Sequence, residues 1–144
     1  MANVIPDSFK TDLLKGTFNF DSSGGSTFKL ALYTDISGLT TSTTAFTTTN
    51  EVSTSGTNYT SGGNTLTNSG VSVGSNIAFV DFADLTFSSV TLSAVGALIY
   101  KSGGSNEAVL VLDFGGTKTA TNGDFVVQFP TASSSAAIIR LGNA

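Results

Sequence analysis

Between Asn76 and Pro130 the sequence alternates apolar and polar residues with a period of two. Phe, Val, Leu and Ile recur at every second place, Asp, Thr, Ser and Ala stand between them, and Gly, Asn, Ser and Thr fill the breaks. This alternation is typical of antiparallel strands that bury one face. We therefore predict a chain that is built mainly of β-structure.

About eight strands are predicted, together with one short helix. The strands are placed at 27–33, 64–74, 76–82, 85–92, 94–101, 107–114, 123–129 and 136–141. The segments GVSVGSN, KSGGSN and GGTKTATNGD are predicted as hairpin turns, because Gly and Asn accept a positive φ. This pattern predicts a single-domain antiparallel β-sandwich, with a jelly-roll arrangement favoured. The predicted core residues are Phe79, Phe87, Leu98, Leu110, Leu112 and Phe129.

The N-terminus carries the predicted helix. Pro6 suits the first helical position, and Gly16 is placed to end the helix in a left-handed conformation. Ile5, Phe9 and Leu13 recur at four-residue spacing and form a short apolar stripe. That stripe either covers the open end of the sheet core or docks onto a neighbouring subunit.

A segment rich in Thr and Ser lies between Thr34 and Asn64 and contains few large apolar side chains. Its Thr content favours extended backbone, so we predict an ordered excursion over the surface that could serve as a contact element. The chain 1–144 is thus predicted to be one β domain, with an N-terminal arm and helix at 1–16 and a long surface excursion at 34–64.

The composition argues against catalysis and against binding to nucleic acid or membranes. The chain has no His, Cys or Trp, so it lacks the commonest general base and the usual zinc and thiolate ligands. Its net charge is −4, and its six Lys and Arg residues are scattered, which offers no cationic cluster to phosphates or anionic lipids. No signal peptide or long apolar run is present, so cytosolic synthesis without a targeting signal is expected. No cofactor is indicated.

The low charge is itself a functional clue. Only 11% of the residues are charged, against about a quarter in ordinary soluble domains. Abundant Ser, Thr and Gly with so little charge is typical of chains that live in assemblies, where hydroxyls bond across interfaces without the cost of burying ions. The alternative is a soluble β-sandwich with a polar uncharged surface, and composition does not separate the two.

Carboxylates are the remaining candidates for chemistry. Asp81 and Asp84 could form an acid/base pair, as in a glycosidase, with Asp113 as a third member. Asp81, Asp84, Asp113 and Asp124 could also supply a calcium site. However, the alternation around Asp81 predicts a strand residue that faces solvent, and Asp84 falls at a predicted turn. We therefore expect neither catalysis nor a metal site here.

Two further patterns are weaker. The glycines of LDFGGTKTATNGD lack the spacing of a phosphate-binding loop and no helix follows them, so we predict a hairpin turn. Tyr33, Tyr59 and Tyr100 could stack on sugars if exposed, but buried or interface tyrosines are commoner.

The chain as a whole resembles a family of small virion structural proteins of tailed bacteriophages. DSFKTDLLKGTFNF followed by TFKLALYT resembles the family's opening helix and strand, and TTTNEVSTSGTNYTSGGNTLTNSGVS is similar to its central region. AFVDFADLTFSSVTLSAVGALIYK, AVLVLDFGGTKTATNGDFVVQFP and AIIRL resemble its closing strands. The DSSGGS insertion departs from the short acidic turn of the relatives.

This resemblance implies a virion component located on the capsid surface and synthesised in the host cytoplasm. It implies a decoration or cement protein that bridges subunits of the major capsid protein and that forms a homo-oligomer, with a trimer favoured. A tail, fibre or receptor-binding component is the alternative. Residues 1–7 and the excursion from about Thr40 to Gly63 are expected to reach across subunit boundaries. The predicted interface residues are Val4, Ile5, Phe9, Phe46, Val52 and Tyr59.

Overall fold

Seven strands and one helix make up the fold in the computed structural model, which describes residues 3–143. The helix α1 spans Asp7–Leu14, and the strands are β1 (Phe28–Tyr33), β2 (Asn64–Thr65), β3 (Asn68–Gly74), β4 (Ile77–Phe82), β5 (Leu85–Lys101), β6 (Ala108–Val127) and β7 (Ile139–Leu141). Sheet one has the order β2-β1-β5-β6 and sheet two the order β3-β4-β7, with every pair antiparallel. The predicted mostly β, single-domain architecture is confirmed, and it is consistent with a β-sandwich.

The main core lies between the two sheets and is dominated by phenylalanines. Phe28 of β1 is fully buried, its ring stacks on Phe20 at 4.6 Å, and it meets Phe82 of β4 edge-on at 5.6 Å. Four predicted core residues are buried, namely Phe87, Leu98, Leu110 and Leu112. The other two, Phe79 and Phe129, are only partly buried.

Around β1 and the paired segments of β5 and β6 beside it, sheet one is buried on its second face as well. Tyr33, Leu98 and Val111 belong to a smaller apolar cluster on that face, and Val4 and Phe46 pack against it. β1 accordingly has a nearly continuous run of buried residues in place of a simple alternation.

Two predicted breaks in the strands are wrong. Residues 85–92 and 94–101 belong to the single 17-residue strand β5, and GGTKTATNGD lies inside the 20-residue strand β6. Gly115 and Gly116 do have positive φ, but the β5–β6 register shifts several times along its length, so these local irregularities are absorbed as bulges without reversing the chain. The predicted turn at KSGGSN is present, with Gly103 and Gly104 at positive φ.

The helix ends where the sequence predicts. Gly16 has φ +80° and donates its N–H to the Leu13 carbonyl at 3.1 Å. Pro6 precedes the helix as its N-cap instead of occupying the first helical turn. Phe9 is buried against the core, which is the first of the two roles predicted for the apolar stripe. Two side-chain ion pairs lie along the helix surface, Lys10–Asp7 at 2.8 Å and Lys15–Asp12 at 3.9 Å.

The excursion 34–64 folds back on its own domain and covers edges of sheet one. Residues 44–46 bond to β6, since the N–H of Ala108 donates to the Thr44 carbonyl at 3.0 Å. Residues 50–52 bond to the end of β1, where the N–H of Val52 donates to the Leu32 carbonyl at 2.9 Å. These residues are thus held on their own domain, and a contact of the segment with a neighbouring subunit stays a prediction.

The described part of the N-terminal arm is also bound to the chain itself. Val4 and Val111 exchange two backbone hydrogen bonds, at 2.9 and 2.8 Å, along the edge of β6. The N–H of Asp7 donates to the Thr41 carbonyl at 2.9 Å, and Pro6 is buried. Residues 3–7 thus contribute to this domain, and the expectation that residues 1–7 reach across a subunit boundary stays a prediction. Met1 and Ala2 lie outside the described residues.

Candidate interaction surface

An apolar face is exposed on sheet two. It consists of Val71, Val73, Ala78, Val80, Ile139 and Leu141, which we call the apolar face. The strand register places these side chains in two rows, Val71–Val80–Ile139 and Val73–Ala78–Leu141. The first row reaches the core, where Val80 and Ile139 are buried, but in the second Val73 is 74% and Leu141 62% exposed. Sheet two therefore extends beyond the part of the sandwich that covers it.

A groove of about 280 Å³ runs beside this face. Leu13 of α1 and Phe18 and Phe20 of the following segment form its other wall. No charged side chain lines the groove among the described residues. Contiguous exposed apolar surface of this kind is characteristic of an interaction site.

The outer strands of sheet two leave this surface accessible. In the order β3-β4-β7 both β3 and β7 are edge strands. β7 has three residues and β3 carries a bulge between Asn68 and Val71, two features that limit pairing along an edge. The side-chain face is therefore a better candidate contact than either edge.

A second concavity lies on β6 and has a different character. It has a volume of about 380 Å³ and is lined by Phe114, Lys118, Asp124 and Val126 among others. Both signs of charge line it, and the strand around it is bulged. It is a weaker candidate because charged groups must be desolvated when a partner binds.

The predicted interface residues lie elsewhere, and three of them are buried. Phe9, Val52 and Tyr59 are at most 4% exposed, so they have no surface to offer a partner, and this part of the prediction is wrong. They are buried because the excursion and the helix pack on the chain's own core.

The remaining three are partly buried. Val4 is paired with Val111, and Ile5 packs against the main core. Phe46 stacks on Tyr100 at 4.7 Å between ring centroids. None of the three belongs to the apolar face.

All three tyrosines are buried, and each hydroxyl makes a hydrogen bond that joins the excursion to the rest of the domain. The Tyr33 hydroxyl donates to the Thr47 carbonyl at 2.6 Å, and the Tyr100 hydroxyl donates to the Gly62 carbonyl at 2.8 Å. The Tyr59 hydroxyl accepts the Leu32 N–H at 3.0 Å and donates to Glu51 at 2.8 Å. Burial is the main cause that raises the pKa of each phenol. Rings placed in this way are not available for stacking on a sugar.

The four aspartates considered as ligands serve the backbone around them. Asp84 accepts the N–H of Phe129 at 2.8 Å, and Asp124 accepts the N–H of Ser89 at 3.3 Å. Asp113 accepts the N–H of Gly115, and this hydrogen bond is the main cause that lowers its pKa. Within residues 3–143 no three His, Cys, Asp or Glu side chains are grouped as a metal would require.

Asp81 differs from its predicted position. It is only 3% exposed, although the alternation along β4 predicted a solvent-facing side chain. Its side chain does point away from the core, but the segment that leads to β7 covers that side. Burial raises the pKa of Asp81, backbone N–H groups of Phe82 and Ile138 oppose the rise, and the charge of Asp84 adds to it.

Comparison of the chain with protein-family models, with curated proteins and with solved structures finds no match in any of the three. No helix between residues 3 and 143 has the length and apolar character needed to cross a bilayer.

Proposed function

We propose that this chain is a non-catalytic virion structural protein, a decoration or cement protein of a tailed-phage head. The observation that carries the proposal is the apolar face, where Val73 and Leu141 stand exposed beside an uncharged groove. The resemblance of the sequence blocks to small phage virion proteins supplies the biological setting. In this proposal the apolar face binds the major capsid protein.

The proposed mechanism is multivalent burial. One apolar face offers a modest contact, but several faces linked in one oligomer act on a closed lattice at high effective concentration. A trimer suits the three-fold and quasi-three-fold positions of a capsid. Contacts of this kind form only in the assembled lattice, so they stabilise the particle by mass action without altering the free subunit.

The test uses heads that lack the protein, to which purified variants are added. Val73→Lys and Leu141→Lys place a charge on the apolar face, which should weaken co-sedimentation with heads at least tenfold because a buried unpaired charge is costly. Val126→Lys is the matched control, because Val126 is also an exposed strand valine, 49% accessible, on β6. It should bind as the unaltered protein does.

A second arm separates head from tail. Particles without the protein should release DNA at a lower temperature while they still adsorb to host cells. If such particles keep their head stability and fail to adsorb, the tail or receptor-binding alternative replaces the cement proposal. Equal binding by all three lysine variants would remove the apolar face from the mechanism.

A further inference from the structure

The middle of the segment that joins β6 to β7 lies on the outer side of sheet two, opposite the apolar face, and Phe129 and Ile138 near its ends pack against the main core. We call residues 128–138 the strap. It includes a turn in which the N–H of Ala137 donates to the Ser133 carbonyl at 3.0 Å. The side chain of Ser134 lies next to Gly74 of β3. The strap contains no charged residue.

Asp81 lies beneath the strap. Its neighbours Val80 and Phe82 belong to the main core, so its carboxyl group is on the outer side of β4. One carboxyl oxygen, Oδ1, accepts the N–H of Phe82 at 2.9 Å, and the N–H of Ile138 also faces the group. The other oxygen, Oδ2, is buried and has no hydrogen-bond partner among the described residues.

The charges around Asp81 do not compensate for its burial. Asp84, between β4 and β5, has the same sign of charge as Asp81 and raises its pKa further. Its carboxylate accepts the N–H of Phe129 near the start of the strap. The Arg140 guanidinium on β7 donates to the Ser135 carbonyl at 3.0 Å. β3 has no charged residue along its length.

We propose that the charge of Asp81 sets how firmly the strap is held: the strap closes over the neutral carboxyl group and loosens when that group is ionised. An ionised carboxylate with one buried, unpartnered oxygen is costly, and lifting the strap lets water reach it. β7 pairs with β4 over only three residues.

The sign of the pH dependence follows from the raised pKa of Asp81. The closed strap binds the proton more tightly than the open one, so closure is favoured as the pH falls through the pKa of the closed state. Closure weakens as the pH rises through that pKa. The change therefore lies between the ordinary pKa of an aspartate, which the open strap restores, and the raised pKa of the closed state.

The strap ends in β7, which supplies Ile139 and Leu141 to the apolar face. Loosening it would remove one strand of that face, so binding through the face should weaken over the same pH range. This last consequence rests on the proposed function, whereas the response of the strap itself does not.

The experiment is amide hydrogen exchange on the full-length protein, without any partner, from about pH 4 to about pH 7.5. The measured quantity is the equilibrium constant for opening the hydrogen bonds between β4 and β7, obtained after correction for intrinsic exchange rates. This constant should rise with pH, and the total rise should be about tenfold if burial raises the pKa of Asp81 by one unit. Amides at the β5–β6 centre report global unfolding and serve as the internal reference.

Asp81→Asn is neutral and of similar shape, so its opening constant should be independent of pH and lower than that of the unaltered protein at neutral pH. Asp124→Asn, which removes an exposed carboxylate on β6, should retain the full pH dependence. A pH-independent opening constant in the unaltered protein, or an unchanged dependence in Asp81→Asn, would overturn the proposal. If Asp81→Asn does not fold, the series on the unaltered protein decides alone. Head-binding measurements play no part in this test, so the two proposals can fail separately.

Discussion

The two sheets differ in how much of their surface and edges is covered by other segments of the chain. Around β1 and the segments of β5 and β6 that pair beside it, sheet one is buried on both faces, and stretches of the chain itself lie along its edges. These stretches are residues 3–4 and 44–46 along β6, residues 50–52 along β1 and residues 57–58 against β5. Sheet two has two bare edge strands and the exposed row that ends in Val73 and Leu141. The chain covers the edges of sheet one and the outer side of sheet two with its own segments, and it leaves the row that ends in Val73 and Leu141 uncovered. We infer that the bare surface of sheet two is the one that meets other molecules.

The largest expected effect comes from the core beneath sheet one. Phe28→Ala removes a fully buried ring that stacks on Phe20, and it should lower the free energy of unfolding by about 3–5 kcal/mol. Val73→Ala on sheet two should change it by less than about 0.5 kcal/mol, because that side chain is largely in solvent. Denaturant unfolding of both variants tests the comparison. Losses of similar size would mean that Val73 is buried in solution, for instance in an oligomer.

A smaller loss is expected where the excursion is fastened. Tyr59→Phe removes a hydroxyl that accepts the Leu32 N–H, which leaves a buried donor unpaired at a cost of about 1–3 kcal/mol. The excursion between Ser53 and Asn58 should also become more sensitive to proteases. Tyr33→Phe is the matched control, because its hydroxyl donates only to the partly exposed Thr47 carbonyl. If the control loses as much as Tyr59→Phe, the excursion is not held mainly by the Tyr59 hydroxyl.

Removal of the segment that covers the edge of β6 should leave that edge as open to strand pairing as the edges of sheet two. Deletion of residues 1–4 removes the two hydrogen bonds between Val4 and Val111, and we expect a loss of about 1–2 kcal/mol. The bared edge of β6 should also increase self-association, since open strands pair with one another. Sedimentation velocity over a range of concentrations measures this. A truncated protein that associates no more than the full chain would show that the arm does not protect the edge.

The smallest effect on folding is expected on the apolar face itself. Leu141→Ser should leave the free energy of unfolding within about 0.5 kcal/mol of its original value. It should nevertheless reduce head binding, because it removes exposed apolar surface from the proposed contact. Val126→Ser on β6 is the control and should change neither property. A reversed pattern would place the contact on β6.

The elements with strong local signals could be predicted from the sequence. Gly16 ends the helix because the chain there needs a positive φ, and β1 and the KSGGSN turn lie where alternation and glycine place them. The same signals failed at Gly115 and Gly116. A glycine at positive φ suits both a bulge and a hairpin turn, and only the pairing with β5 distinguishes them.

The features that depend on distant segments could not be predicted. Asp81 does point away from the core, as its alternation indicates, but the strap that covers it begins more than forty residues later in the chain. Val71 and Val73 alternate with serine as a buried strand would. Their exposure follows from where the opposite wall of the sandwich ends, and no local pattern records that. The candidate surface was therefore missed, although its strands were placed nearly correctly.

The two ion pairs on α1 determine how strongly the stability of the fold responds to salt. Both lie on the helix surface, and the sheets are held by backbone pairing, hydroxyl contacts and apolar packing. Dissolved salt screens charges over about 8 Å at physiological ionic strength and about 3 Å at 1 M, but it leaves neutral hydrogen bonds largely untouched. Within residues 3–143 the fold therefore has few charge pairs for ions to screen, and its free energy of unfolding should change little between low salt and about 1 M salt.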